Sequence, residues 1–137
     1  MNRQPAPIQS SIIFLYYQDL EPVAQFYGDI LGLEMVEDQG WAKIFQTSPT
    51  SFVGIVDGEH GFHRPSANNA VTITLAVADV DAWYDYLRSK NVKIVAEKGT
   101  SQAIQVASFF FEDPGGYTFE VQRFLNPDLA HIFHQGP

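Results

Sequence analysis

The 137-residue sequence contains no cysteine, and this absence excludes several kinds of chemistry at once. Without cysteine the chain can form no disulfide, offers no thiolate nucleophile and supplies no sulfur ligand for a metal. Basic residues are also scarce, because eight Lys and Arg oppose sixteen Asp and Glu to give a formal net charge of −8. A chain with so few cations has no basic stripe to contact phosphates, which argues against nucleic-acid binding.

Long apolar runs are missing as well. The run 12–17 is far too short to span a membrane or to form the core of a signal peptide, so we expect a cytoplasmic protein. The chain is 45% hydrophobic and 14% aromatic, which argues against disorder, and its length suits one domain with a substantial core. The acidic surplus either serves solubility alone or favours a cationic ligand.

The segment 111–124 combines a turn with a strongly alternating strand. Residues 113–116 (Asp-Pro-Gly-Gly) predict a hairpin turn, because proline presets φ and the glycine after it accepts the positive φ of a type II turn. Aromatic and β-branched residues flank the turn, as they do in hairpin strands. Apolar and polar residues alternate after the turn, which places Glu120 on the polar face of a strand.

The chain also contains an internal duplication. A strand at 10–17 is followed by an apparent helix N-cap at Asp19, and a strand at 70–77 is followed by another at Asp79, an offset of 60 residues. Apolar residues at helical spacing follow both caps, and Gly32 and Asn91 are expected to end the helices. Three further strands are predicted in each half, at 33–37, 41–47 and 51–56, and at 92–97, 102–111 and 117–123. We expect a module at 10–57, a linker at 58–69, a module at 70–124 and a tail at 125–137 that becomes weakly ordered from Gln135.

Two amphipathic helices need two apolar sheet faces to cover. The alternation in the first strand of each half predicts these covered faces at Ile13, Leu15 and Tyr17, and at Val71, Ile73, Leu75 and Val77. The first strand is apolar at almost every position, which is typical of a strand covered on both faces. The faces opposite the helices would then be free to curve around a cavity.

Several short motifs recur in the order found in a known superfamily. They are Asp19-Leu20, Phe26-Tyr27, Leu31-Gly32-Leu33, Val77-Ala78-Asp79-Val80-Asp81, Asn91-Val92 and Phe111-Glu112-Asp113-Pro114-Gly115-Gly116-Tyr117 with Glu120. In these features the sequence resembles the vicinal oxygen chelate superfamily, also called the glyoxalase, bleomycin resistance and extradiol dioxygenase group, over about residues 10–123. The resemblance implies an α+β fold of two βαβββ modules that form a cupped mixed sheet with the helices outside. It also implies a single glyoxalase-like domain over residues 1–137 and a homodimer.

The resemblance further indicates where a metal would bind. The positions that match the family's metal ligands are Ile12, Thr72 and Glu120. Isoleucine cannot ligate a metal and threonine is a poor neutral ligand, so we expect a degenerate site with no metal cofactor. The alternative is a divalent metal whose missing ligands come from His63, His131 or a partner chain.

Candidate ligand-binding residues share the faces turned away from the helices. They are Phe14, Tyr16, Thr72, Thr74, Thr118, Glu120 and Gln122. The aromatic members either stack on a planar ligand or fill the core, and the polar members either bind a ligand or form ordinary sheet surface. The pairs His60/His63 and His131/His134 have metal-compatible spacing but no carboxylate partner, so we interpret them as surface histidines. No nucleophile-elbow serine and no glycine-rich phosphate loop is present.

Three functions are compatible with this pattern. The first is a small-molecule binding protein of the glyoxalase/bleomycin resistance type that sequesters a cationic or planar ligand. The second is a divalent-metal-dependent lyase, isomerase or dioxygenase with ligands supplied from elsewhere. The third is a metal-free enzyme with Glu120, the best catalytic candidate, as its general base.

Overall fold

The computed structural model describes residues 4–135. The chain has an α+β fold in two compact units that divide between Ser66 and Ala67. Each unit contains a strand, a helix and three further strands, and its four strands form one mixed sheet. The predicted duplication of a βαβββ module is therefore confirmed. No helix within the described residues has the length and apolar character needed to cross a membrane.

The first unit contains four strands and one interrupted helix. Its elements are β1 (Ser11–Tyr17), α1 (Leu20–Gln25), β2 (Glu34–Asp38), β3 (Ala42–Ser48) and β4 (Ser51–Asp57). A π-helical turn at Phe26–Ile30 continues α1. The sheet order is β1-β4-β3-β2, with β1 parallel to β4 and the other pairs antiparallel.

The second unit repeats this order and adds a helix. Its elements are β5 (Thr72–Ala76), α2 (Val80–Ser89), β6 (Lys93–Ser101), β7 (Val106–Glu112), β8 (Thr118–Phe124) and α3 (Pro127–Phe133). The sheet order is β5-β8-β7-β6, again with the first and last strands parallel. The sequence prediction missed α3, which lies in the predicted tail. The final residues of that tail, 136 and 137, lie outside the described residues.

The ends of α1 and α2 follow the predicted signals. The Asp19 carboxylate accepts a hydrogen bond from the Glu21 amide at 3.3 Å, and the Asp79 carboxylate accepts one from the Ala82 amide at 2.9 Å. These bonds satisfy amides that have no partner inside the helix. A residue with left-handed φ follows each helical segment: Gly32 (71°) comes shortly after the π-helical turn and Asn91 (59°) shortly after α2. Glycine and asparagine tolerate this conformation better than other residues.

In the first unit, α1 packs against β4 and covers one face of the sheet. Tyr27 and Ile55 are fully buried there, and the Tyr17 and Tyr27 hydroxyls lie 2.9 Å apart. Leu15 is buried as predicted, but Ile13 is 49% exposed, so the expectation that it lies under the helix was wrong. Burial of β1 is confined to its C-terminal half, at Leu15 and Tyr17.

In the second unit, α2 covers the apolar face of β6, β7 and β8. The core is strongly aromatic: the Phe111 and Phe119 rings stack with their centroids 5.1 Å apart, and Phe109 is fully buried beside them. Ile73 is buried as predicted, whereas Val71 precedes β5 and is exposed. The Tyr84 hydroxyl donates to the Glu97 carboxylate, and this bond raises the pKa of Tyr84.

Two turns differ from the sequence prediction. The hairpin at 113–116 forms, and the Gly116 amide donates to the Asp113 carbonyl at 3.0 Å. The left-handed φ lies at Gly116 (88°) instead of the first glycine, so the expected type II geometry was wrong. The Asp113 carboxylate favours this arrangement because it accepts from the Gly115 and Tyr117 amides. Strand β7 begins at Val106 because residues 102–105 form the turn that follows a longer β6.

Candidate functional site

The polar face of the second unit's sheet carries most of the candidate residues. Strand alternation turns Thr72 and Thr74 away from Ile73 and turns Glu120 away from Phe119. The register then places three rows side by side across β5, β8 and β7. The rows are Thr72–Thr118–Glu112, Thr74–Glu120–Phe110 and Ala76–Gln122–Ser108. We call these nine residues the Glu120 face.

Glu120 is held in place by two neighbours on this face. The Thr74 hydroxyl donates to Oε1 of Glu120 at 2.9 Å, and Nε2 of Gln122 donates to Oε2 at 3.4 Å. Gln122 is only 9% exposed, so its amide group has little freedom to turn away. Both donors are neutral. They therefore fix the orientation of the carboxylate without cancelling its negative charge.

The two carboxylates of the face, Glu120 and Glu112, differ in whether a basic side chain pairs with them. Nζ of Lys93 lies 3.1 Å from Oε1 of Glu112, so that carboxylate has its own cation. Within residues 4–135, no Lys, Arg or His side chain forms an ion pair with Glu120. The face therefore carries one carboxylate that is positioned by the protein and not neutralised by it.

Phe110 belongs to the face and was not among the predicted site residues. It pairs with Glu120 across β7 and β8, so its ring projects on the same side as the carboxylate. Its neighbours Phe109 and Phe111 are fully buried on the opposite side. The side chains of β7 alternate between the two faces, which places Phe110 opposite Phe109 and Phe111. The sequence does not show this alternation, because all three residues are phenylalanine.

The aromatic candidates Phe14 and Tyr16 lie on β1 in the first unit. The Phe14 ring lies directly across Gly54 on the neighbouring strand, where an added Cβ would overlap Cδ1 of Phe14. Glycine at position 54 therefore makes room for the ring, which remains 42% exposed. The Tyr16 ring meets the His63 ring edge to face at 5.3 Å and is partly covered by it.

The four histidines have separate environments. Nδ1 of His60 lies 3.5 Å from Oδ2 of Asp57, and its ring stacks over Trp41. His63 contacts Tyr16 through its ring. His131 is exposed on α3. His134 differs from the expected surface histidine, because its Nε2 accepts a hydrogen bond from the Phe124 amide at 2.9 Å.

The residues at the matched metal positions do not fit a metal centre. Ile12 has no donor atom, and Thr72 offers only a neutral hydroxyl, so Glu120 is the one strong metal ligand among the three positions. Across the described part of the chain, no three His, Asp or Glu side chains come together as a metal site would require. Residues 4–135 of one chain therefore offer no set of three protein ligands for a metal.

The contact between Phe14 and Gly54 gives a stability prediction. Gly54→Ala should destabilise the protein by roughly 1–3 kcal/mol, because the new methyl group overlaps the Phe14 ring. Urea unfolding measures the change. Gly99→Ala is the matched control, because no atom lies within 4 Å of a Cβ there. The double variant Phe14→Ala/Gly54→Ala should lose less stability than the sum of the single variants. Additive losses would contradict the proposed overlap.

Comparisons with known proteins agree with this architecture. The sequence model of the Glyoxalase/Bleomycin resistance protein/Dioxygenase superfamily matches residues 9–121. A protein of Synechocystis sp. named "Probable lactoylglutathione lyase" is 29% identical over 114 residues, which cover 75% of this chain and 86% of that protein.

Two solved structures show the same fold. A glyoxalase/bleomycin resistance protein/dioxygenase from Nocardioides has a TM-score of 0.74 and 16% identity, covering 90% of this chain and 87% of its own. Lactoylglutathione lyase from Agrobacterium tumefaciens has a TM-score of 0.69 and 21% identity, covering 88% of this chain and 96% of its own. At these identities the likeness concerns the fold alone.

Proposed function

Because the chain belongs to the glyoxalase/bleomycin resistance protein/dioxygenase superfamily, we propose that it is a small-molecule binding protein whose ligand is a planar cation. The Glu120 face would hold the ligand without a metal cofactor. The observation that carries this proposal is the Glu120 carboxylate, which two neutral donors orient and no described cation neutralises. A ligand cation would supply the missing positive charge.

The neighbours of Glu120 suggest the shape of the ligand. Phe110 stands beside the carboxylate in the same row, so a cation bound to Glu120 would lie next to an aromatic ring. Aromatic faces attract cations and stack on flat groups. Ser108 and Thr118 flank this row and offer hydroxyl groups for hydrogen bonding. A positive charge carried on a flat ring system matches this combination best.

We propose that this binding protein sequesters its ligand in the cytoplasm as a homodimer. Exposed apolar side chains at the two edge strands of the first unit's sheet support the dimer, namely Ile12 and Ile13 on β1 and Met35 and Val36 on β2. Such surface is costly to leave in water, and a second copy would cover it. Light scattering at micromolar concentration should give the mass of two chains. A monomer mass throughout would contradict the dimer.

A charge-removing variant tests the ligand site. Glu120→Gln should weaken binding of aminoacridinium, a flat fluorescent monocation, by roughly tenfold or more, because a hydrogen bond to a charged partner is stronger than one to a neutral partner. Fluorescence titration measures the affinity. The free energy of unfolding should change little, since glutamine keeps an acceptor for Thr74.

Glu112→Gln is the matched control for this test. It removes a carboxylate from the same face, but one that Lys93 already neutralises. We expect its affinity for aminoacridinium to stay within about twofold of the unaltered protein, which is the scale of a small surface effect. Equal losses in both variants, or none in Glu120→Gln, would show that Glu120 is not the cation site.

A metal-dependent lyase is the second candidate function. It is favoured by the Synechocystis relative, whose name is that of a lactoylglutathione lyase. Since the described residues of one chain lack a three-ligand set, a partner chain would have to contribute. Elemental analysis of the purified protein separates the two functions. We expect less than stoichiometric metal; one divalent ion per chain that is lost in Glu120→Gln would favour the lyase.

A further inference from the structure

The short helix α3 is held to the sheet by few contacts. It has seven residues, none of them buried, and the Asn126 side chain caps it by accepting from the Asp128 amide at 3.0 Å. A helix of this length is not stable alone in water. Its position therefore depends on the contacts that it makes with β8.

Two residues at the end of α3 make those contacts with Phe124. The Phe133 ring stacks on the Phe124 ring, with centroids 4.5 Å apart and planes 20° apart. Nε2 of His134 accepts a hydrogen bond from the Phe124 backbone amide at 2.9 Å. Phe124 follows Gln122 by two positions on β8, so its side chain projects on the same side as the Glu120 face. The tail therefore covers one end of that face.

The hydrogen bond requires a neutral imidazole. An imidazole nitrogen accepts a hydrogen bond only when it carries no proton, and both nitrogens of a protonated histidine are donors. Protonation of Nε2 would set an N–H group against the N–H group of Phe124. The amide would lose its partner, and a donor left unsatisfied is costly. Histidine side chains commonly take up this proton between about pH 5 and 8.

We propose that α3 is a pH-sensitive cover, docked on Phe124 when His134 is neutral and released when His134 is protonated. The sign follows from the hydrogen bond: docking is favoured at higher pH and is lost as the pH falls. Docking of α3 needs no ligand, so the switch would operate whether or not Glu120 binds a cation. Release would uncover the Phe124 end of the Glu120 face.

Other charged groups on the elements around His134 lie at a distance or on another face. On β8, the side chain of Arg123 points to the side opposite Phe124. Glu120 lies four residues before Phe124, about 13 Å along a strand. On α3, Asp128 lies six residues before His134, about 9 Å along a helix, and His131 is exposed. In the described chain, no ion pair joins His134 to any of them. The Phe124 amide is thus the group that senses the charge.

Amide hydrogen exchange of the full chain, followed by nuclear magnetic resonance from pH 8 to pH 5, tests this switch. The readout is the protection factor, which corrects each amide for its intrinsic exchange rate. Protection of the Phe124 amide should fall as the pH is lowered from 8 to 5, by at most about tenfold per pH unit, which is the limit for release coupled to one proton. The Val121 amide, in the buried part of β8, should keep its protection.

Two histidine variants assign the effect. His134→Gln carries a side chain that is neutral throughout this range, so the pH dependence of Phe124 protection should disappear. His131→Gln, in the same helix, should behave like the unaltered protein. Equal Phe124 protection at pH 5 and pH 8 in the unaltered protein would overturn the proposal. A pH response that survives in His134→Gln, or a parallel loss at Val121, would also overturn it.

Discussion

The parallel pairing of the first and last strands of each module is the constraint on which the rest of the structure depends. β1 lies beside β4 and β5 lies beside β8, in both cases parallel. A parallel pair cannot be closed by a hairpin, so the chain must cross the sheet between its members. The helix of each module makes this crossing and covers one face of its sheet. The opposite face is left for polar or exposed side chains.

The candidate site depends on this pairing because residues far apart in sequence become neighbours. Thr74 and Glu120 are 46 positions apart, yet their side chains hydrogen-bond because β5 and β8 share a register. The antiparallel partner β7 adds Phe110 on the other side of Glu120. Neither the orientation of the carboxylate nor its aromatic neighbour is a local property of the chain. Both arise from the register between strands. Because side chains alternate along a strand, a shift of one residue would turn all of them to the other face.

The parts of the fold that local signals determine could be predicted from the sequence. Asp19 and Asp79 cap their helices, Gly32 ends the first one, and the alternation around Glu120 sets the polar face. The tail helix was missed although Asn126 and Pro127 are a typical helix start, because seven residues show too little periodicity. The turn prediction relied on Pro114 and overlooked the Asp113 carboxylate, which accepts from the Gly115 and Tyr117 amides in a turn whose left-handed φ lies at Gly116.

The site was less predictable than the fold, for the same physical reason. The polar residues of β5 and β8 were found by alternation. Their contacts, and the ion pair between Lys93 and Glu112, depend on pairing between strands that are distant in sequence. The closeness of Phe14 to Gly54 likewise arises between strands that are 40 positions apart. No pattern within a single strand carries that information.

The Phe14–Gly54 pair has a counterpart in the second module when the two modules are aligned by their strand registers. Phe14 occupies the place of Thr74, and Gly54, its partner on the last strand, occupies the place of Glu120. At this position the second module has a glutamate that accepts a hydrogen bond from a threonine hydroxyl, and the first module has a phenylalanine ring packed over a glycine. The same backbone position therefore carries different side-chain chemistry in the two modules. Exchanging the Phe14–Gly54 and Thr74–Glu120 pairs between the modules would change the charge and shape of each sheet face, and thus its ligand preference, while keeping the same backbone.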